Sequence, residues 1–203
     1  KFLLLIFFKN SSNTAFWGFN KSPLLIFNTE PLRPFFKFNL AETILDLFCG
    51  IGGLTHGLIK EGLDVVAGID NDETCKFGYE YNNKTEFRNH DILEVTAKEI
   101  NDLFGKEKDI IRVLAGCAPC QPFSRLNLKK VTQKQLQPLE KFAQLIAETK
   151  PDIVSMENVG GLADTKKYPI FETFLNTLEK GGYKYKYEVV DVSEYGVPQR
   201  RRR

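Results

Sequence analysis

Asp46-Leu47-Phe48-Cys49-Gly50-Ile51-Gly52-Gly53 closes an apolar run, Thr43 to Phe48, and leads directly into a helical pattern, Leu54 to Glu61, in which Leu54 and Leu58 share a face. A strand that turns through glycines into a helix is the opening of a βαβ unit. The missing side chains at Gly50, Gly52 and Gly53 let a ligand approach backbone amides at the positive end of that helix, which suits a carboxylate or a phosphate. Asp70 follows Gly50 by twenty residues, at the tip of the next apolar run, Asp64 to Ile69. Doubly wound folds set an acid against a ribose diol at that position, so the spacing fits an adenosine-type cofactor. A dinucleotide fits less well, because Thr55 occupies the third position of the Gly-x-Gly-x-x-Gly pattern. A tight turn that serves the fold alone is the competing reading.

Outward from this turn, short apolar runs alternate with helical patterns, which predicts an α/β protein with a doubly wound, mostly parallel sheet. The pattern predicts a helix over Asp72 to Tyr81, a weak strand at Glu86 to Arg88, a helix over Val95 to Phe104 and a strand at Ile110 to Ala115. A loop follows from Gly116 to about Gln137, and Pro138 is expected in the first turn of a helix ending near Thr149, where its missing N–H costs nothing. A strand at Asp152 to Met156, a helix from Tyr168 to Lys180 stopped by Gly181-Gly182, and a strand at Tyr185 to Val190 complete the series. No internal repeat is visible.

At 203 residues the chain is long enough for one α/β domain, and 42% hydrophobic with 27% charged residues is ordinary globular composition. A formal charge of +2 argues for no polyanionic partner by itself, but Arg200 to Arg203 concentrates positive charge at one end. Cys49, Cys75, Cys117 and Cys120 lack the spacing of a disulfide scaffold, so free thiols in a reducing cytoplasm are expected. The only methionine is Met156, so the chain is expected to be a fragment, a processed form or a reading begun upstream of the start. Nine of the 17 phenylalanines precede Asn39 without helical or strand period, and residues 1–40 therefore receive no functional assignment. The apolar run Phe2 to Phe8 is too short to span a bilayer, and no membrane helix is expected.

Two further segments carry chemistry. Gly116-Cys117-Ala118-Pro119-Cys120-Gln121-Pro122-Phe123-Ser124 would present Cys120 on a loop at the end of one strand, and Glu157 would stand at the carboxyl end of the next, so that both open into one crevice. A thiol becomes a useful nucleophile when loop amides, a helix end or cations favour the thiolate, and the terminal arginines could serve if they fold back. Glu157, beside Asn158, could hold a proton or donate to a ring nitrogen if burial favours its neutral form. Cys117-Ala118-Pro119-Cys120 is equally a Cys-x-x-Cys, which a redox dithiol or half of a zinc site would use; an inert buried thiol and an ordinary strand-end acid are the plainer alternatives. Zinc needs two more ligands nearby, whereas Cys49, Cys75, His56 and His90 are scattered singly, so no metal is expected.

In this order the blocks resemble the cytosine-5 DNA methyltransferase family: Asp46 to Gly53, Asp70, Asp91, Pro119-Cys120-Gln121, Glu157-Asn158-Val159 and Gln199-x-Arg201-x-Arg203, over about Thr43 to Arg203. The connecting segments Pro151 to Met156 and Tyr195 to Gln199 are similar as well. The resemblance implies a Rossmann-like, S-adenosylmethionine-dependent methyltransferase fold, with residues 41–203 a partial catalytic domain. It implies that Phe48, Gly50, Gly52, Asp70, Asp91 and Pro119 hold S-adenosylmethionine, and that Cys120 attacks C6 of a flipped-out cytosine in double-stranded DNA while Glu157 engages its N3 edge. Arg201 and Arg203 would steady the base and backbone, Asn158 would support the Cys120 loop, and Gln121, Ser124 and Gln199 would join Asn158 at the substrate. A cytoplasmic monomer, paired with a restriction endonuclease and free of membranes, is the implied setting.

Two departures bear on these expectations. Lys134 to Leu139 does not reproduce the arginine-containing segment the family usually carries there. The sequence stops at Arg203, where the family continues into a last sheet strand, a target recognition domain and a final helix, so the fold is expected to be incomplete at its carboxyl end and the sheet to have an unpaired position. A non-catalytic remnant and an RNA cytosine-5 methyltransferase are the alternative functions.

Overall fold

The structure, a computed structural model, describes residues 3–9, 41–107, 109–119, 132–195 and 198–200, with the backbone alone for 3–9 and Tyr195. The apolar run ahead of the glycine turn forms strand β2 (Glu42–Leu47), buried along almost its whole length because strands flank it and helices cover both faces. Around it lie β1 (Leu3–Lys9), β3 (Val65–Asp70), β4 (Glu86–Asn89), β5 (Ile111–Gly116), β6 (Ile153–Asn158) and β7 (Tyr183–Val189). Among the described residues these seven strands form one sheet in the order β4-β3-β2-β5-β6-β1-β7. β4, β3, β2, β5 and β6 run parallel to one another, in register Leu47↔Ile69, Leu47↔Gly116 and Gly116↔Met156, so their carboxyl ends come out along one edge. This is the expected doubly wound, mostly parallel sheet.

Helices α1 (Gly53–Lys60) and α2 (Lys76–Asn83) pack together on one face, while α3 (Ala97–Phe104), α4 (Gln133–Thr149) and α5 (Pro169–Lys180) form a continuous layer on the other. Strand alternation sorts the core accordingly. Leu45 and Leu47 of β2 join Phe142, Phe171 and Phe174 beneath α3 to α5, whereas Ile44 joins Leu54 and Leu58 beneath α1. Asp46 points to the same side as Ile44, toward Thr55 and Tyr79.

Three local differences from the sequence reading have clear causes. Helix α4 starts at Gln133, not in the turn containing Pro138. Thr132 and Gln135 form a capping box, with the Thr132 N–H donating to Gln135 Oε1 at 2.9 Å, and this start is strong enough to carry a proline in the second turn at the loss of one helical hydrogen bond. The helix expected at Asp72 opens as a 3₁₀ turn, Glu73–Cys75, because Asp72 Oδ1 accepts from the Thr74 N–H and Oγ1–H at 3.1 and 2.6 Å. The strand expected to stop at Met156 runs on through Glu157 and Asn158, since β1 pairs there, Leu4 opposite Glu157 and Leu3 opposite Asn158.

That pairing also changes the picture of the sheet's far side. Leu3–Lys9 lies antiparallel to both β6 and β7 and fills the position between them that was expected to be unpaired. Residues 10–40 lie outside the described residues. Among the described residues no helix is long and apolar enough to cross a membrane.

Candidate active site

The turn after β2 repeatedly uses the left-handed backbone region: Phe48 at φ 59°, Gly50 at 51° and Gly52 at 88°. Phe48 is the costly member, since a side chain there costs about 1–2 kcal/mol, and its ring is held edge-on against Phe142 at 6.2 Å. Gly50 donates its N–H to Asp70 Oδ2 at 2.8 Å, which joins the turn to the tip of β3. Gly52 caps α1 with no side chain to offer, and Asp46 beneath it anchors the first turn of the helix through the Thr55 side chain, its Oδ2 accepting from Thr55 Oγ1 at 2.7 Å.

Among the described residues, a Cβ on Gly50 or Gly53 would meet nothing within 4 Å, so these leave the outer side of the turn open at both glycines. Asp70 is half-buried, accepts from Gly50 N and from Asp72 N at 3.0 Å, and still has lone pairs for a diol. Asp91 follows β4 and folds its own loop, accepting the Leu93 N–H at 3.0 Å. The backbone of the adjacent His90 donates to the Asp70 carbonyl at 3.0 Å, which joins the ends of β3 and β4. An open glycine turn flanked by two carboxylates and an aromatic ring fits an adenosine-bearing cofactor with a charged tail.

At the neighbouring strand ends Pro119 is exposed, Glu157 is half-buried and Asn158 is wholly enclosed. Asn158 Nδ2 donates to the Ala118 carbonyl at 3.0 Å while its Oδ1 accepts the Val159 N–H at 2.8 Å, so one amide fastens the end of β6 to the chain just after β5. The Cys117 N–H donates to the Leu47 carbonyl at 3.2 Å and draws the same segment toward the glycine turn. Phe48, Gly50, Gly52, Asp70, Asp91, Pro119, Glu157 and Asn158 therefore share the carboxyl edge of the sheet. Cys120, Gln121, Ser124, Arg201 and Arg203 lie outside the described residues; Gln199 is exposed.

A family model for C-5 cytosine-specific DNA methylases matches residues 42–203. The chain belongs to that family. Among relatives of this methylase family, the Type II methylase M.HgiDII of Herpetosiphon aurantiacus is 47% identical over 164 residues, which is 81% of this chain and 46% of that protein. The Type II methyltransferase M.XorII of Xanthomonas oryzae pv. oryzae is 32% identical over 78% of this chain and 38% of its own length. The chain thus spans less than half the length of either. A prophage-encoded E. coli structure superposes with a TM-score of 0.64 at 26% identity, over 80% of this chain and 44% of that one. The S. pombe Dnmt2 methyltransferase shares the fold with a TM-score of 0.62 at 21% identity, over 80% of this chain and 47% of its own.

Sequence reasoning missed the groups beneath the turn. Asp46 is fully buried, its Oδ1 has no hydrogen-bond partner among the described residues, and burial pushes its carboxyl up to about 7 even though Thr55 bonds oppose the shift. Tyr79 Oη lies 3.1 Å from Thr55 Oγ1. Burial pushes the Tyr79 phenol and the Cys49 thiol well above their ordinary ranges, so Cys49 is a neutral packing group in this chain. A charged residue inside an apolar strand, followed by Thr at the third helical position, is the signal that could have disclosed Asp46.

Proposed function

We propose that this chain is the catalytic region of a DNA cytosine-5 methyltransferase of restriction–modification type, acting on a cytosine flipped out of the duplex. The observation that carries the reading is the Asn158–Ala118 tie, which sets the segment leading to Cys120 beside Glu157, next to the glycine turn. Phe48, Gly50, Gly52, Asp70, Asp91 and Pro119 would hold S-adenosylmethionine, Asp70 taking the ribose and Asp91 the adenine side. When bound, this cofactor supplies an electrophilic methyl group.

The chain's own residues do the rest. The Cys120 thiolate adds to C6 of the cytosine as Glu157 engages N3, so that electron density reaches C5 as an enamine. After C5 has been methylated it gives up its proton, and the bond to Cys120 breaks as the ring regains its double bond. Arg201 and Arg203 would hold the base and backbone, with Gln121, Ser124 and Gln199 lining the substrate. Neither C5 nor C6 can be reached from both faces inside a stacked helix, which is why the base must leave it.

Duplex DNA containing 5-fluorocytosine, incubated with S-adenosylmethionine and the protein extended to its relatives' full length, tests this directly. A covalent adduct at Cys120, absent from Cys120→Ala, is expected; methyl transfer by Cys120→Ala without adduct would falsify the mechanism. Transfer to transfer RNA and not to duplex DNA would move the substrate assignment to RNA. Robust turnover by residues 1–203 alone would exclude a non-catalytic remnant.

A further inference from the structure

Beneath the glycine turn, helix α2 delivers two side chains that the reaction itself does not use. Tyr79 is fully buried, with its ring 5.6 Å from Phe87, and it is wedged between two glycines. A Cβ on Gly68 of β3 would strike the Tyr79 hydroxyl and ring, and a Cβ on Gly52 in the turn would strike the Tyr79 ring and Asn83 Nδ2. One tyrosine therefore depends on the smallness of both the strand and the turn it joins. Its hydroxyl has a use there: a buried phenol without a partner would destabilise the fold relative to phenylalanine, and Thr55 Oγ1 stands 3.1 Å away.

The direction of the bonds follows from proton count. Thr55 has one hydroxyl proton and gives it to Asp46 Oδ2 at 2.7 Å, so Tyr79 donates to Thr55. The chain of donors runs from α2 through the third residue of α1 to β2. One helical turn further along α2, Asn83 Nδ2 donates to the Tyr79 carbonyl at 2.9 Å and reaches the Gly52 carbonyl at 3.5 Å, while its Oδ1 faces His56 Nδ1 of α1 at 3.2 Å. The other end of the turn is joined to the same β3–α2 unit through Gly50 N and Asp70.

We propose that Tyr79 is a positioning residue for the cofactor turn: by donating to Thr55, and through it to Asp46, it fixes the first turn of α1 and holds the turn, left-handed at Phe48, Gly50 and Gly52, in the form that takes the cofactor. The proposal rests on the reading that this turn binds S-adenosylmethionine. It makes α2 the element that couples the Asp70 end of the pocket to the glycine end.

The test is Tyr79→Phe in the full chain, with Phe87→Leu as a packing control beneath the same ring. Two measurements are made: amide hydrogen exchange across the protein, and the S-adenosylmethionine Kd by calorimetry without DNA. In Tyr79→Phe, peptides covering residues 48–56 are expected to exchange at least tenfold faster, those of β5 and β6 to stay within twofold, and the Kd to weaken about tenfold. Phe87→Leu is expected to lower the melting temperature without selective loosening of the turn. Unchanged exchange at 48–56, or a rise shared by the whole sheet, overturns the proposal. If the unaltered protein binds no S-adenosylmethionine, the functional reading fails, while the exchange comparison still decides whether Tyr79 positions the turn.

Discussion

The two halves of the carboxyl edge are built on different principles. On the glycine-turn side, every loop is bound to its neighbours several times over: Gly50 to Asp70, Thr55 to Asp46 and Tyr79, Asn83 to Gly52 and His56, and the His90 backbone to Asp70. On the Cys120 side, the described segment after β5 is tied to the ends of β6 and β2 by the Asn158 amide and by the Cys117 N–H to the Leu47 carbonyl. A pocket for a cofactor of fixed shape gains from preorganisation, because the ordering cost is met during folding and not during binding.

Gly52→Ala should break the rigid half most severely. The new methyl group would stand at a positive φ of 88° against Asn83 and Tyr79, both of them buried and bonded, so strain and overpacking add. A loss of about 2–5 kcal/mol is expected, from roughly 1–2 for the backbone and 1–3 for the clash. Urea unfolding measures it, and a change below 1 kcal/mol would mean that α2 does not press on the turn.

Asn158→Ala should break the Cys120 half instead. It strands a buried carbonyl at Ala118 and a buried N–H at Val159, at a cost of about 2–3 kcal/mol. With the segment before Cys120 released, turnover on DNA should fall at least a hundredfold while S-adenosylmethionine affinity stays within threefold. Equal losses of both would erase the distinction between the halves.

The contrast also explains what the sequence disclosed. The parallel strands and most helices follow from local periodicity, and Gly50, Asp70 and Glu157 could be identified because a strand end and a short spacing suffice to place them. Tyr79 could not, since it acquires its meaning from Thr55, which lies 24 residues away in sequence and meets it only when α2 docks beside α1; Asp46, whose partner Thr55 is 9 residues on, announced itself only as a charged residue inside an apolar strand. Leu3–Lys9 escaped for a different reason. A strand enclosed on both sides by β6 and β7 reads as a featureless apolar run, with no alternation to distinguish it from a helix or a leader. Cys120 was legible from its neighbours Pro119 and Gln121, and its geometry lies outside the described residues.

Asp46 offers a gentler way to sharpen the comparison, by pH. Its ordinary pKa is 3.8 and burial raises it to about 7, so between these values the native protein keeps a proton that the unfolded chain has lost. Stability from this group is therefore fully present at low pH and declines as pH rises toward 7, by at most about 1.4 kcal/mol per unit. Asp46→Asn keeps an acceptor for Thr55 and removes the titration. The stability difference between the two proteins, from urea midpoints at pH 5.5, 6.5 and 8, should shift in favour of Asp46→Asn as pH rises. A difference that does not vary with pH would show that Asp46 titrates elsewhere.

Gly50→Ala should have the smallest effect on the fold and for that reason separates ligand space from packing. Its φ of 51° lies where alanine is only mildly strained, and a Cβ there would meet nothing within 4 Å among the described residues, so a loss of about 1 kcal/mol is expected, below that of Gly52→Ala. The open space beside Gly50 is where a ligand would approach the backbone, so S-adenosylmethionine binding should weaken at least tenfold in spite of the small change in stability. Two glycines two residues apart, both left-handed, would then fail in opposite ways: Gly52 because its inner side is filled by α2, Gly50 because its outer side must remain empty for the cofactor. Unimpaired binding by Gly50→Ala would place the cofactor away from this turn, and with it the purpose of the rigid half.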